Sequence, residues 1–231
     1  MPEALPQGWV RADLHCHTVY SKDSLTPLAA VIRACRKKGI QRIAITGHNT
    51  IEGALRLRDM APELIIVGEE IKTTHGEIQA FFIEKRIPPG LSPEETIDRV
   101  REQGGVVGVS HPLDPIRGEA MGAENLLRIA HLVDCIEVFN ARSIFARHNR
   151  QAAEFARQHG LPGTAGSDAH TAFEIGRAYM EMPNFTGPAS FLEALKQGRV
   201  LGRQSLPLVH FFSRWATFRK RLQTKSVVDH D

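Results

Sequence analysis

The sequence predicts an α/β protein whose strands close into a TIM-like barrel within a single domain. Short β-like runs alternate with helix-like segments about seven times in roughly 200 residues, which suits a closed barrel better than an open sheet. Isolated His, Asp and Glu residues stand at the ends of several of these runs, where barrel enzymes carry their active sites. The chain of 231 residues is 42% hydrophobic, so it can bury one core.

The predicted elements succeed one another as repeated β–α units. Apolar runs predict strands at residues 10–15, 42–46, 64–67, 78–83, 106–109, 135–139, 161–165 and 200–201. Helical periodicity predicts helices near residues 26–38, 51–60, 92–103, 124–131, 143–158 and 188–197. We expect Thr26 to cap the first helix and Gly39 to end it, and Ser92 and Glu95 to form a capping box. Strands joined by helices are expected to be parallel.

Composition narrows the class of protein. The net charge of +3 is concentrated after Gly198 and does not favour a large nucleic-acid face. No segment predicts a membrane-spanning helix, and the first residues lack the pattern of a secretory signal. Cys16, Cys35 and Cys135 are too widely spaced for a disulfide framework or a zinc motif. We therefore expect a cytoplasmic protein.

Two pairs of polar residues are the strongest chemical signal. His15 and His17 form one pair, and Asp168 and His170 form the other. Residues two apart on a strand point to the same face, so each pair can aim at one point. Single polar residues follow three further β-like runs: His48, Glu70 and His111. A lone histidine at a strand end is more often structural than a ligand, but this conjunction predicts two or three bound transition-metal ions.

Six segments support an assignment to a known family. They read D-L-H-C-H-T-V-Y-S-K-D-S at 13–24, I-T-G-H-N-T at 45–50, V-G-E-E-I at 67–71, V-S-H-P at 109–112, I-E-V-F-N at 136–140 and G-S-D-A-H at 166–170. In these segments and in their order, the chain resembles the polymerase and histidinol phosphatase (PHP) family of metal-dependent phosphoesterases. The resemblance implies a distorted (β/α)7 barrel with a two- or three-metal site at its C-terminal rim.

The resemblance also implies a ligand set. One ion would be held by His15, His17, Glu70 and Asp168, a second by Asp23, His48 and His170, and a third by Glu70 and His111. The family's G-x-E-I pattern selects Glu70 rather than Glu69, which is expected on the opposite face of its strand. Imidazole and carboxylate ligands favour Mn²⁺, Zn²⁺ or Fe²⁺. His111 and Asp168 are the predicted catalytic residues.

Two positions depart from the family pattern. Gly47 stands where the family usually has Asp, and Gln79 stands where it often has His. Gln79 is a poor ligand for zinc or manganese, so the third ion is expected to be weak, exchangeable or absent. His75 could replace the missing ligand, although a surface role for His75 is favoured.

Several neighbouring residues have two interpretations. Arg117 and Arg142 could clamp a phosphate or could face solvent. Glu137 and Asn140 could add ligands or could hold a ligand histidine in place. Cys16 lies between two ligand histidines but is expected to point to the other face of the strand, as a packed thiol.

The chain divides into a predicted extension at 1–9, the barrel at 10–203 and a C-terminal tail at 204–231. In the tail, Phe211, Trp215, Phe218 and Leu222 lie on one helical stripe among basic residues. This amphipathic helix could contact a membrane surface or a protein through residues 211–222. The favoured alternative is a terminal helix that packs these side chains on the barrel.

The predicted function is hydrolysis of a phosphomonoester, or of a nucleotide or short-oligonucleotide phosphate, by a metal-activated water. A small substrate is expected rather than long nucleic acid. Two alternatives stay open: a metal-dependent hydrolase of amide or lactone bonds, and a catalytically weak metal-binding module recruited through its C-terminal helix. The sequence leaves the oligomeric state open.

Overall fold

A computed structural model of the chain describes residues 5–117 and 119–228, with side chains up to residue 222 in the last helix. Nine strands lie in these residues: β1 (Trp9–Cys16), β2 (Arg42–His48), β3 (Ile65–Thr73), β4 (Gly76–Phe81), β5 (Val106–Val109), β6 (Cys135–Asn140), β7 (Gly163–Gly166), β8 (Ala178–Pro183) and β9 (Arg199–Gly202). The helices are α1 (Leu28–Lys38), α2 (Glu52–Met60), α3 (Pro93–Arg101), α4 (Gly122–Ile129), α5 (Ala146–Gln158), α6 (Pro188–Gln197) and α7 (Val209–Val228), with a 3-10 turn at Pro115–Arg117.

The strands form one sheet that curves into a nearly closed barrel, which confirms the predicted fold class. Its order is β7-β6-β5-β4-β3-β2-β1-β8-β9. Closure comes from the C-terminal end of β1, which meets the segment after β7. His17 N donates to Ala169 O at 2.9 Å, and Asp168 N donates to His15 O at 2.8 Å. Two distant parts of the chain therefore meet at one edge of the barrel.

The sheet is mixed, so the expectation of uniformly parallel strands is wrong. β4 runs antiparallel to both β3 and β5, and β8 runs antiparallel to β1 and β9. β8 was not predicted, and β3 extends six residues beyond the predicted 64–67, from residue 67 to Thr73. The predicted strand stopped before Gly68-Glu69-Glu70, whereas β3 continues through these residues and both glutamates are buried. Gly76 turns β3 into β4 with a φ of +101°, and Met121 leaves no room there for a side chain.

Two apolar clusters pack the sheet. Ile43 and Ile45 of β2 belong to the larger cluster, which takes in the buried faces of α1 to α4. Ala44, on the opposite face of β2, joins a second cluster that contains Phe191 of α6. The alternation along β2 therefore splits the core into two layers.

The helix ends are partly as predicted. Gly39 ends α1 in the left-handed conformation, and Ser92 and Glu95 form the capping box of α3. Thr26 does not cap α1: Pro27 holds that position, and the Thr26 hydroxyl donates to His170 O at 2.8 Å. Thr26 thus supports the strand end that carries a predicted ligand.

The ends of the chain are described in part. The predicted extension 1–9 is described from residue 5, and residues 229–231 of the predicted tail lie outside the described residues. The boundaries at 10–203 and 204–231 stay predictions. Among the described residues, none of the helices combines the length and apolar character needed to cross a bilayer.

Candidate metal centre

The two segments that close the barrel bring the two predicted ligand pairs together. β1 delivers His15 and, just past its end, His17, while the segment after β7 delivers Asp168 and His170. Gly166 permits this approach, because a Cβ at that position would lie 2.2 Å from the Cβ of His15. All four side chains are buried. The strand alternation seen in the sequence therefore does aim both pairs at one place.

The other predicted ligands reach the same place from four further segments. Asp23 lies in the loop after β1, His48 ends β2, Glu70 lies inside β3, and His111 follows β5. Potential ligand atoms in four groups lie within 4.8 Å of one another: His17, Asp23, His48 and His170; His15, His17 and Asp168; His15, Glu70 and His111; and His48, Glu70 and Glu77. All eight predicted ligands take part, and His15, His17 and His48, each predicted for one ion, belong to two groups each.

The distances between donor atoms match the edges of metal coordination polyhedra. His17 Nε2 lies 3.2 Å from Asp168 Oδ1, and His170 Nε2 lies 3.0 Å from Asp23 Oδ2. Ligands bound at about 2.1 Å from one ion stand about 3.0 Å apart in an octahedron and about 3.4 Å apart in a tetrahedron. The donor spacing thus fits a shared cation without rearrangement of the backbone.

Hydrogen bonds orient three of the histidines so that each can present one ring nitrogen to a cation. Glu137 Oε1 lies 3.0 Å from His15 Nδ1, Ser21 Oγ lies 3.2 Å from His17 Nδ1, and Asp168 O lies 2.8 Å from His170 Nδ1. With each Nδ1 engaged, the Nε2 atoms face the cluster, and those of His15 and His17 are only 3.1 Å apart. Such outer contacts fix the ring and tautomer of a metal-binding histidine.

The cluster also leaves buried polar atoms without hydrogen-bond partners. Among them are Asp23 Oδ1 and His111 Nδ1, and Asp168 Oδ1 and Glu70 Oε2 approach only ring nitrogens of the cluster's own histidines. A buried carboxylate oxygen that lacks a partner costs on the order of 1–3 kcal/mol. Several such atoms in one cluster fit a site that binds cations, because an ion would satisfy them together.

The pKa shifts define the charge of the cluster. Burial alone would raise the pKa of Asp168, but Arg117 and His15 hold it well below its ordinary value. Burial would also raise the pKa of Glu70, which His15 and His48 instead hold well below the ordinary value. Both carboxylates therefore stay ionised near neutral pH, as cation ligands must be.

The histidines of the cluster differ in protonation. Burial, with the neighbouring His170 and His48, lowers the pKa of His17 to about 3. Burial would likewise lower the pKa of His15, but Glu70 and Asp168 raise it well above the ordinary value. His17 is thus ready to coordinate, whereas an ion that binds at His15 must displace a proton, so ion affinity rises with pH.

Backbone strain marks the two predicted catalytic residues. His111 has a φ of +28° and Asp168 a φ of +50°, values that residues with a side chain rarely adopt. Glu137 supports the first of these turns, since its Oε2 accepts from His111 N at 2.7 Å. Strain of this kind persists where the surroundings hold it, and it concentrates at functional sites.

A cavity of about 430 Å³ opens above the cluster. Asp23, His48, Glu77, His111 and His170 line it, together with the cationic side chains of Lys22, Arg117, Arg142 and Arg214 and the acidic side chains of Asp114 and Glu119. The centre is therefore accessible to a small molecule, and the lysine and arginine side chains offer contacts to an anion.

The two predicted substrate arginines differ in their surroundings. Arg117 lines the cavity and forms an ion pair with Asp168. Arg142 is buried, and its Nη2 donates to Val209 O and Ser213 Oγ at 3.0 Å. Neither arginine faces open solvent. Arg142 links the end of β6 to α7, so its guanidinium already has protein partners.

The structure resolves the interpretation of several other residues. Glu137 and Asn140 hold ligands: Asn140 Nδ2 donates to Glu137 Oε2 at 3.1 Å and to Asp168 Oδ2 at 3.2 Å. Cys16 is a buried free thiol. Glu69 is buried on the opposite face from Glu70, where it accepts from Ile87 N at 2.9 Å, so it is not solvated.

Glu77 is the residue that sequence reasoning missed. It lies on β4, and its carboxylate is 3.5 Å from His48 Nδ1 and 3.6 Å from His111 Nε2. The side chain of Gln79, the position expected to matter, instead donates to Leu14 O at 3.2 Å. The available signal was the spacing, since Glu77 and Gln79 are two apart and share a strand face.

The chain belongs to the PHP domain family. The family profile named PHP domain matches residues 13–154, and the profile named PHP-associated matches residues 146–200. An uncharacterized protein of Methanocaldococcus jannaschii is 35% identical over 197 residues, which cover 81% of this chain and 79% of that protein. A probable phosphatase of Enterobacter sp. strain 638 is 29% identical over 71% of this chain and 80% of its own length.

A solved structure supports the fold. A two-domain protein from Bacteroides vulgatus, described as containing a predicted PHP-like metal-dependent phosphoesterase, superposes with a TM-score of 0.70. The match covers 87% of this chain and 68% of that one at 18% identity. The protein is therefore a PHP-family, barrel-shaped hydrolase of the metal-dependent class, in which residues of this chain form clusters that can hold divalent ions.

Proposed function

We propose that this protein is a phosphoesterase that hydrolyses a phosphomonoester, or the phosphate of a nucleotide or short oligonucleotide, with at least two divalent ions. One observation carries the proposal. Buried His, Asp and Glu donors at coordination spacing lie beneath a cavity that Lys22, Arg117 and Arg214 also line. A cation centre below and cationic side chains above together favour an anionic substrate over a neutral amide or lactone.

We assign the first ion to His15, His17, Glu70 and Asp168 and the second to Asp23, His48 and His170, all of which belong to the four groups of potential ligands. Ions bound there would polarise the phosphoryl group and make a water acidic enough to attack at neutral pH. Mn²⁺, Zn²⁺ and Fe²⁺ all suit these nitrogen and oxygen donors.

The remaining side chains position these groups. Asp168 and His111 would act as catalytic residues by holding ions against the reacting phosphate from strained, fixed backbones. Arg117 borders the cavity beside Asp168, where its charge would favour a phosphate oxygen. We assign Arg142 a supporting contact with the substrate end of the cavity, secondary to its bonds with α7.

The setting we propose is the cytoplasm, with a small phosphorylated metabolite or short nucleotide as substrate. The three cysteines are free and buried, which suits a reducing compartment. The cavity volume of about 430 Å³ matches a small molecule rather than a duplex.

A substrate panel tests the proposal. Protein loaded with Mn²⁺ should release phosphate from phosphomonoesters or nucleotides faster than it cleaves amides or lactones. His15→Ala should lower kcat/KM about a thousandfold, because ions supply several kcal/mol of transition-state stabilisation. His75→Ala, which alters an exposed loop histidine, is the matched control and should retain activity. Absence of phosphate release across the panel, or an unchanged His15→Ala variant, would refute the proposal.

A further inference from the structure

We propose that Glu77 is a metal ligand of this chain and that, with Glu70 and His111, it holds a third divalent ion. This inference rests on the proposed metal centre and adds a residue that the family pattern does not place there. It replaces the expectation of a weak or absent third site, which followed from Gln79 alone.

The geometry places Glu77 between two histidines and opposite a carboxylate. Glu77 Oε2 lies 3.6 Å from His111 Nε2, which is also 3.0 Å from Glu70 Oε1. On the other side, Glu77 Oε1 lies 3.5 Å from His48 Nδ1, which is 3.1 Å from Glu70 Oε2. These spacings approach the edges of about 3.0–3.4 Å expected around one ion with ligands at about 2.1 Å.

The charges also require a cation. Glu70 and Glu77 are both buried, and ligand atoms of the two lie within 4.8 Å of each other. Glu119 also contacts Glu77, but Lys72 Nζ lies 2.8 Å from Glu119 Oε1 and neutralises it, so the charges left to balance are those of Glu70 and Glu77. Like charges at this distance in a buried site disfavour ionisation unless a cation balances them. His48 and His111 supply part of that balance, and a divalent ion would supply the rest.

The register of the β3–β4 hairpin explains why residue 77, and not residue 79, is placed to act as a metal ligand. Glu70 is paired with Gln79, and Lys72 is paired with Glu77, so Glu77 stands two residues nearer the hairpin turn. Glu77 lines the cavity together with His111, whereas Gln79 lies deeper and bonds to the backbone of β1. An ion at Glu77 would therefore face incoming substrate.

Metal stoichiometry tests the assignment without relying on turnover. Wild type, Glu77→Gln and Glu69→Gln are stripped with a chelator, checked for cooperative thermal unfolding and titrated with Mn²⁺ by calorimetry and by the electron spin resonance of free Mn²⁺. Glu69→Gln is the matched control, because it removes a buried carboxylate from β3 that points away from the centre. Both substitutions keep the size of the side chain, so both variants should fold.

We expect three ions per wild-type chain, three in Glu69→Gln, and two in Glu77→Gln, with affinity for the third lowered at least tenfold. Two ions in the wild type, or three in Glu77→Gln with unchanged affinities, would overturn the role of Glu77 while the phosphoesterase proposal stands. A wild type that binds no Mn²⁺ would instead refute both proposals.

Discussion

The rim of the barrel and helix α7 contain opposite kinds of unpartnered surface. At the rim, ionisable side chains are buried, and several of their polar atoms lack hydrogen-bond partners. On α7, large apolar side chains stay in solvent: Phe211, Trp215, Phe218 and Leu222 are 71%, 54%, 52% and 53% exposed. The polar atoms at the rim would be satisfied by a bound cation, whereas α7 exposes an apolar surface to water.

The two regions differ in the contacts that attach them to the rest of the fold. The rim residues are fixed by strands and by outer hydrogen bonds, so their unsatisfied atoms are held in place. α7 is tied by its other face, where Val209 and Ala216 are buried and Lys220 Nζ donates to Val19 O and Ser21 O. The predicted packing of the aromatic stripe on the barrel is therefore wrong, and contact through residues 211–222 stays a prediction.

Removal of the ions should produce the largest effect. A chelator should abolish phosphate release and lower the thermal midpoint by about 5–10 °C, since ions at a hundredfold excess over Kd contribute about 2.7 kcal/mol to the free energy of unfolding. The difference between loaded and stripped protein should grow with pH, because binding at His15 displaces a proton. Scanning calorimetry with and without chelator, at several pH values, measures the two thermal midpoints. Equal midpoints would mean that the rim is stable without ions.

Weakening an outer contact should have an intermediate effect. Glu137→Gln removes the charge that faces His15 Nδ1 while it keeps an acceptor for His111 N. We expect ion affinity to fall about 10- to 100-fold, as for other outer partners of ligand histidines. Mn²⁺ titration is the measurement, and Glu154→Gln, on the exposed surface of α5, is the control. A variant with wild-type affinity would show that Glu137 does not orient the ligand.

Substitution on the exposed face of α7 should have the smallest effect. Phe218→Ser should change the free energy of unfolding by no more than about 0.5 kcal/mol, because the side chain is half exposed. Ala216→Glu, on the buried face of the same helix, should cost about 1–3 kcal/mol. Urea unfolding measures the free energy of unfolding of both variants and of the wild type. A large loss for Phe218→Ser would show that the stripe is covered in solution.

The sequence predicted the ligands better than it predicted the strands. His15, His17, Asp168 and His170 were found because alternation along a strand is a local property, visible in two short motifs. The antiparallel position of β4 depends on pairing with β3 and β5, which no local pattern specifies.

The overlooked Glu77 and the misread helix α7 have physical causes of the same kind. Gln79 was judged by its type, whereas the hairpin register brings Glu77 to the cavity. On α7 the inward positions Val209, Ser213 and Ala216 are small or polar, so they gave a weaker signal than the aromatic stripe. In both cases contacts with a neighbouring element decided which residues are used.

The closure of the barrel has a consequence for how the protein matures. Asp13 accepts from Ser167 N at 2.9 Å, across 154 positions of the chain, and the ligand pairs stand beside this contact. A ribosome exposes His15 and His17 long before it exposes Asp168 and His170, so the first site cannot be complete until the segment after β7 has emerged. Ion uptake then marks the moment at which β7 has closed against β1. The metal centre can therefore bind its ions, and stabilise the closed barrel, only after β1 and the segment after β7 have come together.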